Sequence, residues 1–373
     1  MKKLIQVGLV ICLFVSAIAG SVMAPPPALA QAPEQKTVTI IDQRGAQVEI
    51  PQPLERVVIF NIWNAELVRA LGGWESIVGM DLNTVQDTSY WPGFDTDHIV
   101  GPNQREPDYE KIVSLKPQVV IFAYSWAAWA EAEEKLSPFG IKVVVFDSWD
   151  PRMYVSAAAT FGLMFDKSER AQELIAFNQK YLNLVKERVS TVENRKRVYY
   201  ESYGEVNDYK TALSGPGGGW HEMIVNAGGI NIFGDIDIAQ QPTSKGSTSA
   251  FEIDPEEILV RNPQVILKMD PGKKAIAIST IFSPPEPGEL KATWERLANR
   301  AGWSELDALK NNQFYVFQPF ILSTGAKMIG TCYLAKLLYP ELFADLDVEA
   351  VMKEWIEQYQ GLPYSGGYVY PAQ

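Results

Sequence analysis

The side chains that most often bind metals or move protons are scarce in this chain. Of its 373 residues two are His (His98, His221) and two are Cys (Cys12, Cys332). A zinc site, a His-based nucleophilic triad or a disulfide framework has almost nothing to be built from. Flat side chains are plentiful instead, with 10 Trp, 16 Tyr and 16 Phe. Several directly follow short apolar runs: Asn61 and Trp63 after Val57 to Phe60, Tyr124 and Trp126 after Val119 to Phe122, Trp149 after Val143 to Phe146. In open parallel sheets ligands meet the loops beyond the strand carboxyl ends, so these five residues form one candidate binding wall. Tyr203, Trp220 with His221, Met269 and Phe320 follow later runs and form a second. Three or four such rings, each burying about 150–250 Å² at about 25 cal/mol per Å², suffice for micromolar binding of a large flat ligand. The competing structural reading is that the Trp side chains pack between lobes or under loops.

The same residues indicate which ligand classes fit. A bare transition metal needs several converging His or carboxylates, so a metal already wrapped in a chelate or macrocycle suits these walls better. His221 is the one candidate for direct metal contact, set against a surface or hydrogen-bonded role. Arg105 and Arg152 are the cations available to an acidic ligand. The run Gly215-Pro-Gly-Gly-Gly-Trp220 leads into a helix whose free N–H groups could hold an anion. It lacks the Lys and Ser/Thr of a phosphate loop, which argues against a nucleotide. Aromatics beside acids also describe a glycosidase cleft, so a secreted carbohydrate-active enzyme is the out-of-class alternative, and an adhesion or scaffold module a third. No local motif singles out a catalytic carboxylate pair.

The elements that position these residues are legible from periodicity. Thr37 to Ile41 and Gln47 to Ile50 flank a turn and predict a hairpin. Asn64 is the expected N-cap of a helix ending at Gly72-Gly73. Apolar runs alternating with helical segments predict a parallel sheet covered on both faces. The pattern restarts at Val198 to Glu201, Val265 to Lys268 and Phe314 to Phe317. Between the two sets, Asp166-x-x-Glu169 is a capping box, followed by Leu174, Ile175, Tyr181, Leu182, Val185 and Val189 at helical spacing. With no Gly or Pro from 167 to 190, this helix should run stiffly for about 23 residues, roughly 35 Å. The expected fold is α/β: two Rossmann-like lobes, 31–160 and 193–373, bridged by a single long α-helix within 161–192.

At the N-terminus, Lys2 and Lys3 precede an apolar run, Leu4 to Ala19, and a Pro-rich stretch ending Ala28-Leu-Ala30. This reads as a secretory signal peptide, 1–30, cut after Ala30. The apolar run of about 16 residues is short for a membrane span, and Ile11 before Cys12 argues against lipidation. Removing the two lysines takes the net charge from −12 to −14 and leaves Cys332 as the one thiol. An exported, disulfide-free monomer suits a periplasm. Its acidic balance argues against nucleic acid or anionic lipid as partner.

An internal repeat carries the functional reading furthest. Asp108-Tyr-Glu-Lys-Ile-Val-Ser-Leu-Lys-Pro-Gln-Val-Val-Ile121 and Asp254-Pro-Glu-Glu-Ile-Leu-Val-Arg-Asn-Pro-Gln-Val-Ile-Leu267 align at an offset of 146. Duplicated lobes explain this. Glu110 and Glu256 stand at the same place in both copies; either alone needs no more than favourable charge at a helix N-terminus.

These stretches resemble the solute-binding proteins of ABC transporters that import iron–siderophores, haem and cobalamin. The likeness extends in order through Val38-Thr-Ile-Ile-Asp, Arg56-Val-Val, Leu71-Gly-Gly, Ile77-Val-Gly79, Lys116-Pro-Gln-Val, Ala227-Gly-Gly-Ile-Asn-Ile-Phe, Asn262-Pro-Gln-Val, Trp303-Ser-Glu-Leu-Asp-Ala-Leu and Tyr339-Pro-Glu-Leu-Phe. The resemblance implies a class III periplasmic binding protein of the helical-backbone metal-receptor type, without enzyme activity or intrinsic cofactor. It implies capture of an iron–siderophore or related chelate, with haem, cobalamin or another corrinoid, and molybdate or tungstate as alternatives. It also implies a permease with its ATPase subunits as partner, the membrane being met only through that permease. Glu110 and Glu256 would dock onto permease arginines, with Glu257 a neighbouring candidate.

Overall fold

The computed structural model describes residues 36–125, 128–272 and 282–371; the expected signal segment and Trp126 lie outside them. The hairpin forms as expected, from β1 (Thr37–Ile41) and β2 (Gln47–Pro51). At its turn Asp42 Oδ1 accepts from the Arg44 N–H at 2.9 Å, and Gly45 takes the left-handed conformation (φ 80°), which costs a residue without Cβ little. The turn reaches the next sheet: the Gln43 N–H donates to the Val145 carbonyl, and Gln43 Oε1 accepts from the Asp147 N–H at 2.7 Å.

Strands β3 (Val57–Ile59), β4 (Ile77–Met80), β5 (Val119–Phe122) and β6 (Lys142–Val145) form a parallel sheet in the order β4-β3-β5-β6. Their continuous apolar runs match burial on both faces. The helix after β3 spans Ile62–Ala70, and its N-cap is Asn61, not Asn64. Asn61 adopts φ 84°, and its Oδ1 accepts from the Trp63 N–H at 2.9 Å. Asn64 lies inside the helix, on the face against the end of β6. There its Nδ2 satisfies the Phe146 carbonyl at 3.0 Å, a bond that a capping position could not make.

The C-terminal lobe holds β7 (Arg197–Glu201), β8 (Lys210–Thr211), β9 (Ile230–Asn231), β10 (Gly246–Ser247), β11 (Ala250–Glu252), β12 (Val265–Met269), β13 (Phe314–Phe317) and β14 (Val369–Tyr370). They form one sheet in the order β10-β11-β8-β7-β12-β13-β14, with β9 also against β7. Its centre, β9, β7, β12 and β13, is parallel.

The bridging helix is Ser168–Val189, 22 residues or about 33 Å at 1.5 Å per residue. Its capping box does not form. Asp166 is left-handed (φ 55°) and ends the preceding helix, Tyr154–Met164, while Lys167 precedes the new helix without a side-chain cap. The Lys167 N–H returns to the Gly162 carbonyl at 2.7 Å and the Asp166 N–H to Leu163 at 3.3 Å, the pattern of a helix C-terminus. Asp166 is thus consumed by the stop and unavailable for the start. Gly162 lets the two helices touch: a Cβ there would stand 2.4 Å from the Ala171 Cβ.

The repeat is structural in detail. Asp108 and Asp254 are both N-caps, of the helices Tyr109–Ser114 and Pro255–Arg261. Lys116 and Asn262, equivalent in the repeat, are both left-handed (φ 48° and 40°), and their carbonyls accept from the guanidinium groups of Arg56 and Arg197. Gln118 Oε1 accepts from the Arg56 N–H at 3.0 Å; Gln264 Oε1 accepts from the Arg197 N–H at 3.1 Å. Each copy therefore pins the start of a neighbouring strand by the same means.

Separate apolar clusters cover the outer faces of the two sheets. A third is continuous through the first lobe, the bridging helix and the inner face of the second lobe. Cys332 is buried within it, and burial pushes its thiol up to about 12.

Candidate functional site

The loops at the carboxyl ends of both sheets face each other between the lobes. Two carboxylates shape the first wall. Asp81 Oδ2 accepts from the Asn61 N–H at 3.2 Å and the Thr84 hydroxyl at 2.8 Å, fixing the left-handed turn at Asn61. Asp147 Oδ1 accepts from the N–H groups of Tyr124 (2.9 Å) and Ser125 (3.2 Å), while the Ser125 hydroxyl donates to Oδ2. Burial pushes the Asp147 carboxyl up against the pull of these bonds.

The candidate residues divide into rim and floor. Tyr124 is 40% exposed and stacks on Trp129, whose indole N–H bonds to the Tyr124 carbonyl at 3.1 Å. Trp63 is half-buried against the core, and Asn61 is also half-buried. Tyr203 is half-buried in the second lobe, with the Arg105 charge of the first lobe opposing the upward push of burial on its phenol. Beneath the rim, Trp220 stacks on Tyr200 at 4.9 Å, and the Tyr200 hydroxyl donates to Met269 Sδ at 2.5 Å. Phe320 is fully buried against Tyr90 and Phe282. Trp220, Met269 and Phe320 are thus buried in the lobe core.

His221 lies beside a groove of about 570 Å³ on the edge of the second lobe, with Arg195, Arg197, Asp235 and Arg261. Its Nδ1 is 3.3 Å from Asn231 Nδ2, and burial holds the imidazole below its usual range. Among the described residues no three His, Cys, Asp or Glu converge.

On one side the lobes are in contact. The Trp149 indole N–H donates to the Gly217 carbonyl at 3.1 Å. Arg152 donates to the Gly215 carbonyl at 2.9 Å and pairs with Glu222 at 3.0 Å and Asp150 at 2.6 Å. The glycine-rich run allows this approach: a Cβ on Gly217 would lie 2.4 Å from Ser125 Oγ, and one on Gly219 2.9 Å from Pro151 Cδ.

Two buried ionisable residues, Lys327 at this seam and Glu66 at its base, carry little or no sequence signal. Lys327 Nζ donates to the Trp149 carbonyl at 3.1 Å and sits 4.8 Å from the Trp220 ring centre. Burial pulls the ammonium down to about 7, against the carboxylates of Asp150, Glu222 and Asp147. Glu66, at the base, accepts from the hydroxyls of Tyr90 (2.6 Å) and Thr324, and from the Gly325 N–H at 3.3 Å. Burial pushes its carboxyl up, opposed by those hydroxyls and by Arg69. The one hint for Glu66 is an acid in an otherwise apolar helix stretch, Ala65-Glu-Leu-Val68. For Lys327, in Ser-Thr-Gly-Ala-Lys, there is none.

The deciding comparison is with a family model described as Periplasmic binding protein, which matches residues 57–319, from β3 to just beyond β13. The chain belongs to that family. This binding protein is 26% identical over 322 residues to YvrC, an uncharacterized ABC transporter substrate-binding lipoprotein of Bacillus subtilis, covering 84% of this chain and 90% of YvrC. It is 23% identical over 355 residues to the molybdate-binding protein MolA of Haemophilus influenzae, covering 87% and 91% of the two chains. Among solved structures it resembles the TroA-like periplasmic binding protein FepB of Veillonella parvula, with TM-score 0.68, 25% identity and coverage of 89% and 99%. The binding protein is therefore the substrate-binding component of an ABC importer, acting outside the cytoplasm with a permease as partner, and is not an enzyme. The glycosidase alternative falls with this assignment.

Proposed function

We propose that this binding protein captures an anionic metal chelate, an iron–siderophore or a relative of one, in the cleft between its lobes and delivers it to the permease. The observation that supports this most is the rim: Tyr124 in one lobe, Tyr203 in the other, and Arg105 electrostatically coupled to Tyr203 across the gap. Two phenol rings and a guanidinium suit a flat, negatively charged ligand that brings its own metal donors. In this reading Asn61, Trp63, Tyr124, Trp126 and Trp149 line one jaw and Tyr203 the other, over a floor of Trp220, Met269 and Phe320, with His221 beside it.

The jaws correspond to 31–160 and 193–373, with 161–192 as strut. Residues 1–30 are a signal peptide cut near Ala30, releasing a monomer into the periplasm, whereas the related YvrC is a lipoprotein. A second reading, a molybdate-like oxyanion, is favoured by the similarity to MolA. Haem and corrinoids remain members of the same ligand panel.

Titrating the purified chain with ferric siderophores, haem, cobalamin, molybdate and tungstate, by intrinsic fluorescence and calorimetry, tests the proposal. Saturable binding of a ferric siderophore, weakened about tenfold or more by Arg105→Ala through loss of a charge-assisted contact, is the expected result. Binding of molybdate alone would favour the second reading.

A further inference from the structure

Three consecutive residues, Gly325, Ala326 and Lys327, hold left-handed backbone, with φ of 57°, 54° and 63°. Gly325 does so freely, whereas Ala326 and Lys327 carry a Cβ against the preferred hand. Such a run persists where its surroundings impose it. Both of its ends are held by the other lobe. Upstream, Glu66 of the helix Ile62–Ala70 accepts from the Thr324 hydroxyl and the Gly325 N–H. Downstream, Lys327 Nζ donates to the Trp149 carbonyl. Trp149 then reaches back across the cleft to Gly217.

We propose that the 324–327 turn is a strained two-state coupling element, and that Glu66 is the positioning residue that holds it in the lobe-closed form. The proposal rests on the reading of the cleft as the ligand site and adds to it how closure is controlled. When the seam parts, the Trp149 carbonyl withdraws from Lys327, and Ala326 and Lys327 are released toward ordinary backbone. A ligand that favours closure then selects the left-handed turn. Glu66 contacts no ligand in this scheme; it sets the balance between the two turn states.

Hydrogen exchange on the unliganded chain tests the idea. With Glu66→Gln, one acceptor facing Thr324 or Gly325 becomes a donor, and exchange at 148–153 and 215–219 should accelerate about tenfold, a modest coupling by allosteric standards. Amides of β5 and β12 should keep their protection. Ala326→Gly, which removes the Cβ from a left-handed position, should slow exchange at the same two segments, the opposite sign to a simple packing loss. Lys327→Met, which removes the bond to Trp149 together with the charge beside the Trp220 ring, should accelerate it. Unchanged seam exchange in Ala326→Gly and Lys327→Met overturns the proposal, even if Glu66→Gln does not fold. Acceleration spread evenly over β5 and β12 overturns it as well. Because no ligand is present, either failure leaves the ligand assignment standing. A ligand panel without binders, alongside the expected exchange pattern, would sink the assignment alone.

Discussion

Lys327 is a buried ammonium among Asp147, Asp150, Glu222 and Arg152, and this crowding has a consequence for stability. Its pKa in the fold, about 7, lies below its ordinary value of 10.5, so between those limits the unfolded chain binds the extra proton. Stability should therefore rise with pH across that window, by at most about 1.4 kcal/mol per unit, and level off below 7. Denaturant titrations at pH 7, 8 and 9 should show this rise in the native chain and a flatter profile in Lys327→Met; equal slopes would mean that the amine titrates normally. That range lies above the ordinary pKa of 6.5 for His221, whose pKa burial lowers further. Gly217→Ala makes a steric counterpart. Its Cβ would crowd the Ser125 side chain in a backbone region (φ 82°) that suits glycine, so a loss of about 1–3 kcal/mol is expected, with Trp149 emission shifted toward the red as the seam wets. At this scale the place of Trp149 at a strand end was legible, but the bond of its indole to Gly217 of the other lobe was not. The glycine run was legible only as a feature: its use, close approach of a second lobe, depends on a partner surface 92 residues away in sequence at Ser125.

At the scale of elements, strands were readable because their apolar runs are continuous, and the bridge because its buried positions recur with helical period. Caps were less so. Asn64 and Asp166 each had the right side chain for a helix start, yet one bonds the end of β6 and the other ends the helix before. Local capping preferences of about 1 kcal/mol are small enough for tertiary contacts to redirect. The duplicated glutamines are the converse case, visible in sequence with no role attached, since their partners, the N–H groups of Arg56 and Arg197, lie more than sixty residues away. Gln118→Ala and Gln264→Ala should each cost about 1 kcal/mol, and together add within about 0.5 kcal/mol. Urea unfolding of the two single variants and the double variant measures this; strong non-additivity would show the two strand starts to be coupled.

For the whole molecule, the apolar cluster that runs through both lobes and the bridge limits how far the lobes can part. Ligand should then change the radius of gyration by less than about 1 Å, measured by small-angle scattering; a larger change would mean that this shared core opens. The exposed Glu110 and Glu256 have no ion-pair partner among the described residues, whereas Glu257 is paired with Arg261 at 3.2 Å. In the proposed docking role, Glu110→Ala with Glu256→Ala keeps ligand affinity and abolishes uptake by the reconstituted importer. Lost affinity in the purified double variant would argue against that role.

The burial of Cys332 also makes the chain a convenient optical ruler. Its thiol is shut inside the shared core and held near 12, so with residues 1–30 removed no native sulfur competes for thiol-reactive dyes at neutral pH. Glu110→Cys and Glu256→Cys, one on each lobe, would accept a donor and an acceptor fluorophore with Cys332 left in place. Distances between the two lobes could then be followed on single molecules while the importer engages and releases them.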